Sequence, residues 1–389
     1  MDELGAILAA WMGLGKQDQD AVLATVVHVR GSAYRRPGAR MLILPDGRRI
    51  GSISGGCLEG DVARKAWWFT ADRQPVVRVY DTSSDEDALW EFGLGCNGEI
   101  QVMLERLDTQ AARESLEFTG RCRRQQGGVL AVVIRSAPPS GFRVGDRLCW
   151  SRDGDTHGSL AALGPRLQAY LEETALERRS RLVRLEGCEI FVEWIAPPQQ
   201  LVVFGAGHDA VPVVSMASQL GWRVTVADGR PAYATQARFP LAERVLVIRP
   251  EDPLAGLDIN KETAVVLMTH NYVQDARLLQ AILPVRPRYL GMLGPANRAD
   301  RVLQELGIRR ESLNLHAPIG LDIGAATPES IALSIVSEIQ AELAGRPGMK
   351  LRHRLDSIHD PVLEAGSTPG LPMPDPERPA CEVGHLEQV

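Results

Sequence analysis

The residues with the most chemistry lie in Gly51-Ser52-Ile53-Ser54-Gly55-Gly56-Cys57-Leu58-Glu59-Gly60-Asp61-Val62. One cysteine follows two glycines and directly precedes a predicted helix that runs to about Phe69, with Glu59 and Asp61 in its first turn. Gly55 and Gly56 allow a ligand or another backbone to come close and tolerate a positive φ. A thiol at a helix start faces backbone N–H groups and the positive end of the dipole, which favour a thiolate. Cys57 could then serve as a nucleophile, a soft metal ligand or a sulfur carrier. The competing reading is a small thiol buried at a tight turn. Spacing alone leaves both open.

A second cysteine has a similar frame, Gly93-Leu94-Gly95-Cys96-Asn97-Gly98-Glu99, and leads into a predicted strand over Glu99 to Leu107. Cys57 and Cys96 can act together only if the fold joins them. Cys122, Cys149, Cys188 and Cys381 have no such frame, and Cys149 and Cys188 lie in apolar, strand-like runs that predict core. No C-x-x-C pair, Cys/His zinc spacing or H-E-x-x-H occurs, which argues against a structural zinc or a thioredoxin-like motif.

The other chemical signal is Val202-Val203-Phe204-Gly205-Ala206-Gly207-His208-Asp209-Ala210, a strand entering G-x-G-x-x-A and then a helix. Asp228 ends the next predicted strand. This is close to the dinucleotide fingerprint: Gly205 and Gly207 for the turn and pyrophosphate approach, a small residue for helix packing, an acid for ribose hydroxyls. Asp228, if free, would favour an NAD-like over an NADP-like ligand. His208 sits inside the loop and His270 ends the fourth strand, where ligands bind in such sheets. Either could contact a phosphate or a pterin, or simply cap a helix. Arg298, behind Gly291-Met292-Leu293-Gly294, could bind an anion or be solvated.

The elements around these residues predict an α/β protein. Residues 1–107 form an N-terminal mixed α+β domain, with Gly31 to Gly38 as an arginine-bearing loop and Arg40 to Leu44 as a strand. Residues 108–196 form a middle α+β segment continuous with it, ended by Pro197-Pro198. Residues 201–344 alternate short apolar strands with helices, the pattern of a Rossmann-like doubly wound parallel sheet. Its last helix should start at Pro328, capped by Thr327. Seven prolines in 345–389 predict a largely disordered tail.

With 389 residues, 44% hydrophobic and 24% charged, the composition is that of a globular protein with real cores. A net charge of −6 argues against a nucleic-acid binder. Six cysteines without a framework fit a reducing compartment. Met1 to Gln17 lacks a basic n-region, and no apolar run is long enough to span a bilayer, so a cytoplasmic location without membrane contact is expected.

At these motifs the chain resembles the xanthine dehydrogenase accessory (XdhC/CoxI) family. The resemblance rests on Gly31-Ser32-Ala33 through Arg40, Gly51 to Val62, Gly95 to Gly98, Gly205 to His208, Met268-Thr269-His270, Gly291 to Gly294 and Pro318 to Gly324. It implies a maturation factor that binds the molybdenum cofactor, as molybdopterin or its dinucleotide form. Such a factor supports sulfuration with a cysteine desulfurase and inserts the cofactor into a molybdenum hydroxylase apo-enzyme of the xanthine, aldehyde or CO dehydrogenase type. It also implies Cys57 as a molybdenum contact. Cys96, Gly55, Gly56 and Glu59 would line the site, with Arg35, Arg36 and Arg40 on the pterin phosphate. Gly205, Gly207, His208, Asp228 and His270 would take a phosphate, a dinucleotide form or a separate NAD(P). A cofactor chaperone is favoured over an enzyme. The alternative is an NAD(P)-dependent oxidoreductase, and a homodimer stays open.

Overall fold

The computed structural model describes residues 2–14, 20–31, 33–81, 98–152, 154, 156–310, 313–355, 358 and 363–366. The chain divides into two compact units. One comprises Ala6–Pro197 with His359–Val389, the other Met1–Gly5 with Pro198–Ile358.

The chain opens with α1 (Glu3–Gly13) and then β1 (Val22–Gly31), whose β-branched residues suit a pleated, buried surface. β2 (Arg40–Ile43) and β3 (Arg49–Gly51) lead to α2 (Glu59–Phe69), followed by β4 (Val76–Asp81) and β5 (Gly98–Arg106). These strands form an antiparallel sheet in the order β3-β2-β1-β5-β4. Alternate residues of β1 serve two cores. Val22, Ala24 and Val26 pack with Leu58, Val62 and Ala66 at α2, while Val27 packs with residues of the next sheet.

α3 (Gln110–Arg124) starts where the Thr109 hydroxyl accepts the Ala112 N–H. Then come β6 (Gly128–Ser136), β7 (Arg147–Trp150), β8 (Thr156–His157), α4 (Gly164–Glu177), β9 (Arg181–Leu185) and β10 (Cys188–Ile195). The second sheet runs β9-β10-β6-β7-β8 and is antiparallel, and a short strand, Leu363–Gly366, pairs parallel to β9 at its edge. That strand is a finding within the segment whose prolines predict disorder. The prolines after Gly366 lie outside the described residues. α4 covers one face of this sheet, and α3 with the first sheet covers the other.

The C-terminal unit is built from β11 (Gln200–Phe204), α5 (Ala210–Gln219), β12 (Arg223–Asp228), β13 (Arg244–Val247) and β14 (Ala264–Leu267). α6 (Tyr272–Ile282), β15 (Tyr289–Met292), α7 (Ala296–Glu305), β16 (Leu315–His316) and α8 (Pro328–Leu343) complete it. All six strands are parallel in the order β13-β12-β11-β14-β15-β16, the Rossmann arrangement. α5 and α8 pack on one face, α6 and α7 on the other. Thr327 caps α8 in a capping box with Ser330, and Pro328 sits in its first turn. Strand order reverses between β11 and β14, so the ligand crevice expected of this topology opens at their carboxyl ends.

Candidate functional site

Between β3 and α2 the chain winds around one carboxylate. Glu59, 7% exposed, accepts at Oε1 from Ser52 Oγ (3.1 Å), Ile53 N (3.1 Å) and Ser54 N (2.8 Å), and at Oε2 from Ser54 Oγ (2.5 Å). Burial pushes this carboxyl up. The Ser54 hydroxyl and amide, with Ser52, outweigh burial and hold it below the ordinary 4.5. Glu59 therefore organises the loop from inside, with three donors on Oε1 and the Ser54 hydroxyl on Oε2.

The Ser54 hydroxyl relays that order. It donates to Glu59 and accepts from Gly56 N and Leu58 N, both at 3.2 Å. Cys57 Sγ lies 3.4 Å from Ser54 Oγ. The thiol is half-buried, free of disulfide, and two residues ahead of the first helical residue. Beside it Gly56 has φ +114°, and nothing stands within 4 Å of where its Cβ would be. A Cβ on Gly55 would touch the ring of Tyr34 at 3.6 Å, and that ring is 67% exposed. Arg35 is half-buried and Arg36 exposed on the same turn as Tyr34. Arg40 is elsewhere. Its guanidinium is buried and bidentate to Glu193 of β10, at 2.7 and 2.5 Å, which corrects its expected place beside Arg35 and Arg36. An arginine buried between two sheets needs a carboxylate there. Cys96 lies outside the described residues.

At the carboxyl edge of the parallel sheet, Gly205 (φ +113°) lets β11 and β14 close up. A Cβ there would be 2.3 Å from Met268 O. The next residue is held on both sides: Ala206 N donates to Asp228 Oδ2 (2.7 Å) and Ala206 O accepts from Arg238 Nη1 (2.7 Å). Asp228 also accepts from Arg230 N (2.8 Å) and Nε (2.9 Å) at Oδ1, and from Nη2 (2.6 Å) at Oδ2. Burial pushes this carboxyl up, and Arg230 with the Ala206 N–H overcomes it, leaving it below 3.8. The condition for an NAD-like preference, a free acid at this strand end, is not met, because the acceptor sites of Asp228 are taken.

His270 follows β14 at the strand-order reversal in a left-handed conformation, φ +57°, uncommon for a residue with a side chain. Its Nε2 lies 2.6 Å from Asp209 Oδ2. Asp209 Oδ1 would be 2.6 Å from a Cβ on Gly207, so this pair lies over the glycine loop. His208 is exposed. Arg298 is paired with Asp275, which is buried and bonded to the Thr269 hydroxyl (2.5 Å). Among the described residues no group of three or more His, Cys, Asp or Glu is placed to hold a metal ion.

Four contributors escape a reading of the sequence by motif: Ser54, Asp209, Arg230 and Arg238. Ser54 and Arg230 had local signals, a serine whose hydroxyl can take the N–H groups two and four residues on, and an arginine two residues after the fingerprint acid.

Residues 14–81, which hold the Cys57 loop, match the XdhC and CoxI family, and residues 201–339 match the XdhC Rossmann domain. A Bacillus subtilis (strain 168) protein, named as one of the probable subunits of xanthine dehydrogenase, is 35% identical over 329 residues, covering 83% of this chain and 93% of its own. The chain belongs to the XdhC and CoxI family. A second XdhC relative, the Escherichia coli (strain K12) "Molybdenum cofactor insertion chaperone PaoD", is 27% identical over 82% of each chain. A crystal structure of a xanthine dehydrogenase from Bacillus halodurans superposes with a TM-score of 0.75 at 30% identity, over 91% of this chain and 98% of that one. Among the described residues of this XdhC-family chain no helix is long and apolar enough to cross a membrane.

Proposed function

We propose that this chain binds the molybdenum cofactor and delivers it to a molybdenum hydroxylase apo-enzyme, of the xanthine, aldehyde or CO dehydrogenase type, with sulfuration by a cysteine desulfurase. The observation that carries this is Cys57: a half-buried thiol beside the open space at Gly56, on a loop braced by Ser54 and Glu59. The family and the name of the PaoD relative support it.

The residues fit such a group. A soft thiolate can bind high-valent molybdenum, and Arg35 and Arg36 on the neighbouring turn suit a phosphate. Cys57 would hold the molybdenum end, with Cys96 proposed as a second thiol. The bound cofactor supplies a metal centre able to exchange a terminal oxo for a sulfido ligand. The chain's own part is to bind and orient, so a stoichiometric chaperone follows rather than a catalyst. The Gly205–Gly207 loop would hold a nucleotide or phosphate. The oxidoreductase alternative draws on that loop and the strand order, and it requires turnover of NAD(P)H.

Anaerobic incubation with molybdenum cofactor released from a molybdenum enzyme, desalting, and metal and pterin analysis test the proposal. Wild-type protein should retain about one equivalent, and Cys57→Ser about 10-fold less or lower, the scale on which residues around a metal site matter. Equal retention by a Cys57→Ser protein of unchanged melting temperature would remove Cys57 from the site.

A further inference from the structure

We infer that the Rossmann unit carries a phosphomonoester subsite made by Arg230 and Arg238, and that its ligand is a nucleotide with a 2′-phosphate. The inference rests on the glycine loop being a nucleotide site and does not depend on Cys57.

In dinucleotide-binding sheets the residue ending the second strand decides what the adenosine ribose offers. A free acid bonds the 2′-hydroxyl and repels a 2′-phosphate, and a nearby arginine accepts the phosphate. Here the acid is present but spent. Asp228 is 3% exposed at its side chain, and its oxygens receive the Ala206 N–H and three nitrogens of Arg230. What meets solvent at this strand end is Arg230, 51% exposed at its side chain. The strand end therefore presents a cation where the fingerprint calls for an anion.

A second arginine joins it. The Arg230 guanidinium carbon lies 4.2 Å from the centroid of the Tyr233 ring, and that of Arg238 lies 4.9 Å from the same centroid. Tyr233 is 43% exposed, so both cations gather on one accessible aromatic. Both are also tied to Ala206, the central residue of the G-x-G turn. Arg230 reaches Ala206 N through Asp228, and Arg238 bonds Ala206 O directly. The pair is thus fixed in register with the loop that would bind the rest of the nucleotide. Two arginines against one carboxylate leave a net single positive charge. A dianionic phosphomonoester complements that charge and the guanidinium N–H groups that remain once Asp228 and Ala206 O are served, and a ribose diol does not.

Titration calorimetry of the full chain with NADP+, NAD+ and inorganic phosphate decides it. NADP+ should bind about 10- to 100-fold tighter than NAD+, the scale of one or two charge-assisted hydrogen bonds. Arg230→Ala should abolish that ratio. Because this change unpairs buried Asp228, Arg238→Met, which keeps the Asp228–Arg230 pair, is the second variant and should reduce the ratio with folding intact. A ratio near one, a preference for NAD+, no binding of either dinucleotide, or a ratio unmoved in Arg238→Met would overturn the inference. Inorganic phosphate displacing NADP+ at equal concentration would reduce the site to a general anion patch and overturn the nucleotide assignment. Molybdenum retention by the same wild-type sample reports on the proposed function separately, so either can fail while the other stands.

Discussion

Ser54 is the residue on which the Cys57 loop turns. Its hydroxyl takes two backbone N–H groups and gives its proton to Glu59, so Ser54→Ala strands three partners at once. Leaving a buried polar group unpaired costs about 1–3 kcal/mol. We expect Ser54→Ala to lower stability by that order in urea denaturation and to change the rate at which Cys57 reacts with a thiol reagent. An unchanged rate would mean that the loop holds its shape without the relay. In the Rossmann unit the Asp209 carboxylate lies over Gly207 and pairs with His270. Anions approach this helix start along the same line. Asp209→Asn should therefore tighten NADP+ binding several-fold, and weaker binding in calorimetry would show that Asp209 assists rather than guards.

At the scale of elements, two ion pairs stitch the sheets of the N-terminal unit. Arg40 on β2 meets Glu193 on β10, and Glu105 on β5 meets Arg147 on β7 at 2.9 Å. All four side chains are buried and line a cavity of about 20 Å³, room for roughly one water. Burial alone would push the Arg40 guanidinium down, and Glu193 raises it instead. Removing one member leaves a buried charge uncompensated, at a cost of about 3–5 kcal/mol. Glu193→Leu should lose that much in denaturant titration. Arg40→Met with Glu193→Leu should recover most of it, since a well-packed apolar pair often matches a buried ion pair. A double variant no more stable than the single would mean the charges hold the register between the sheets.

For the molecule as a whole, each unit has its own hydrophobic cores. We expect two calorimetric transitions, of which NADP+ raises one. At 100 times its dissociation constant the ligand adds about 2.7 kcal/mol to the unit that binds it. A shift of both transitions would mean that the units unfold together. Acid should weaken both units. Glu59 in one, and in the other Asp228 and Glu338 of α8, which accepts from the Tyr289 hydroxyl and the Gly320 N–H, are held below their ordinary values by hydrogen bonds that outweigh burial. Their stabilisation is complete above the unfolded values of 4.5 for glutamate and 3.8 for aspartate, and it is lost as pH falls through the lower folded values. Stability flat from neutral pH to well below 4 would contradict this.

The alternation of apolar runs from Leu201 onward determined a parallel sheet, and G-x-G behind Phe204 determined where its glycine loop sits. Thr327-Pro328 determined where α8 begins. These signals are local: a period, a turn glycine and a cap act within a few residues. The Cys57 motif likewise marked its loop, but not which residue braces it. Glu59 read as a ligand-facing acid because nothing in its spacing says that four donors converge on it. Arg40 was expected on the pterin phosphate because nothing near it names its partner, which is 153 residues away on another sheet. The two-residue strand Leu315–His316 is too short to carry a period, and Leu363–Gly366 is a single edge strand whose only pairing among the described residues is to β9. Asp228 is the sharpest case, since the sequence shows an acid at this strand end but not that Arg230 and Ala206 occupy it. A sequence determines which groups a site could use. Only the tertiary structure decides which are already consumed, because hydrogen-bond capacity is finite and is claimed by whatever the fold brings within 3 Å.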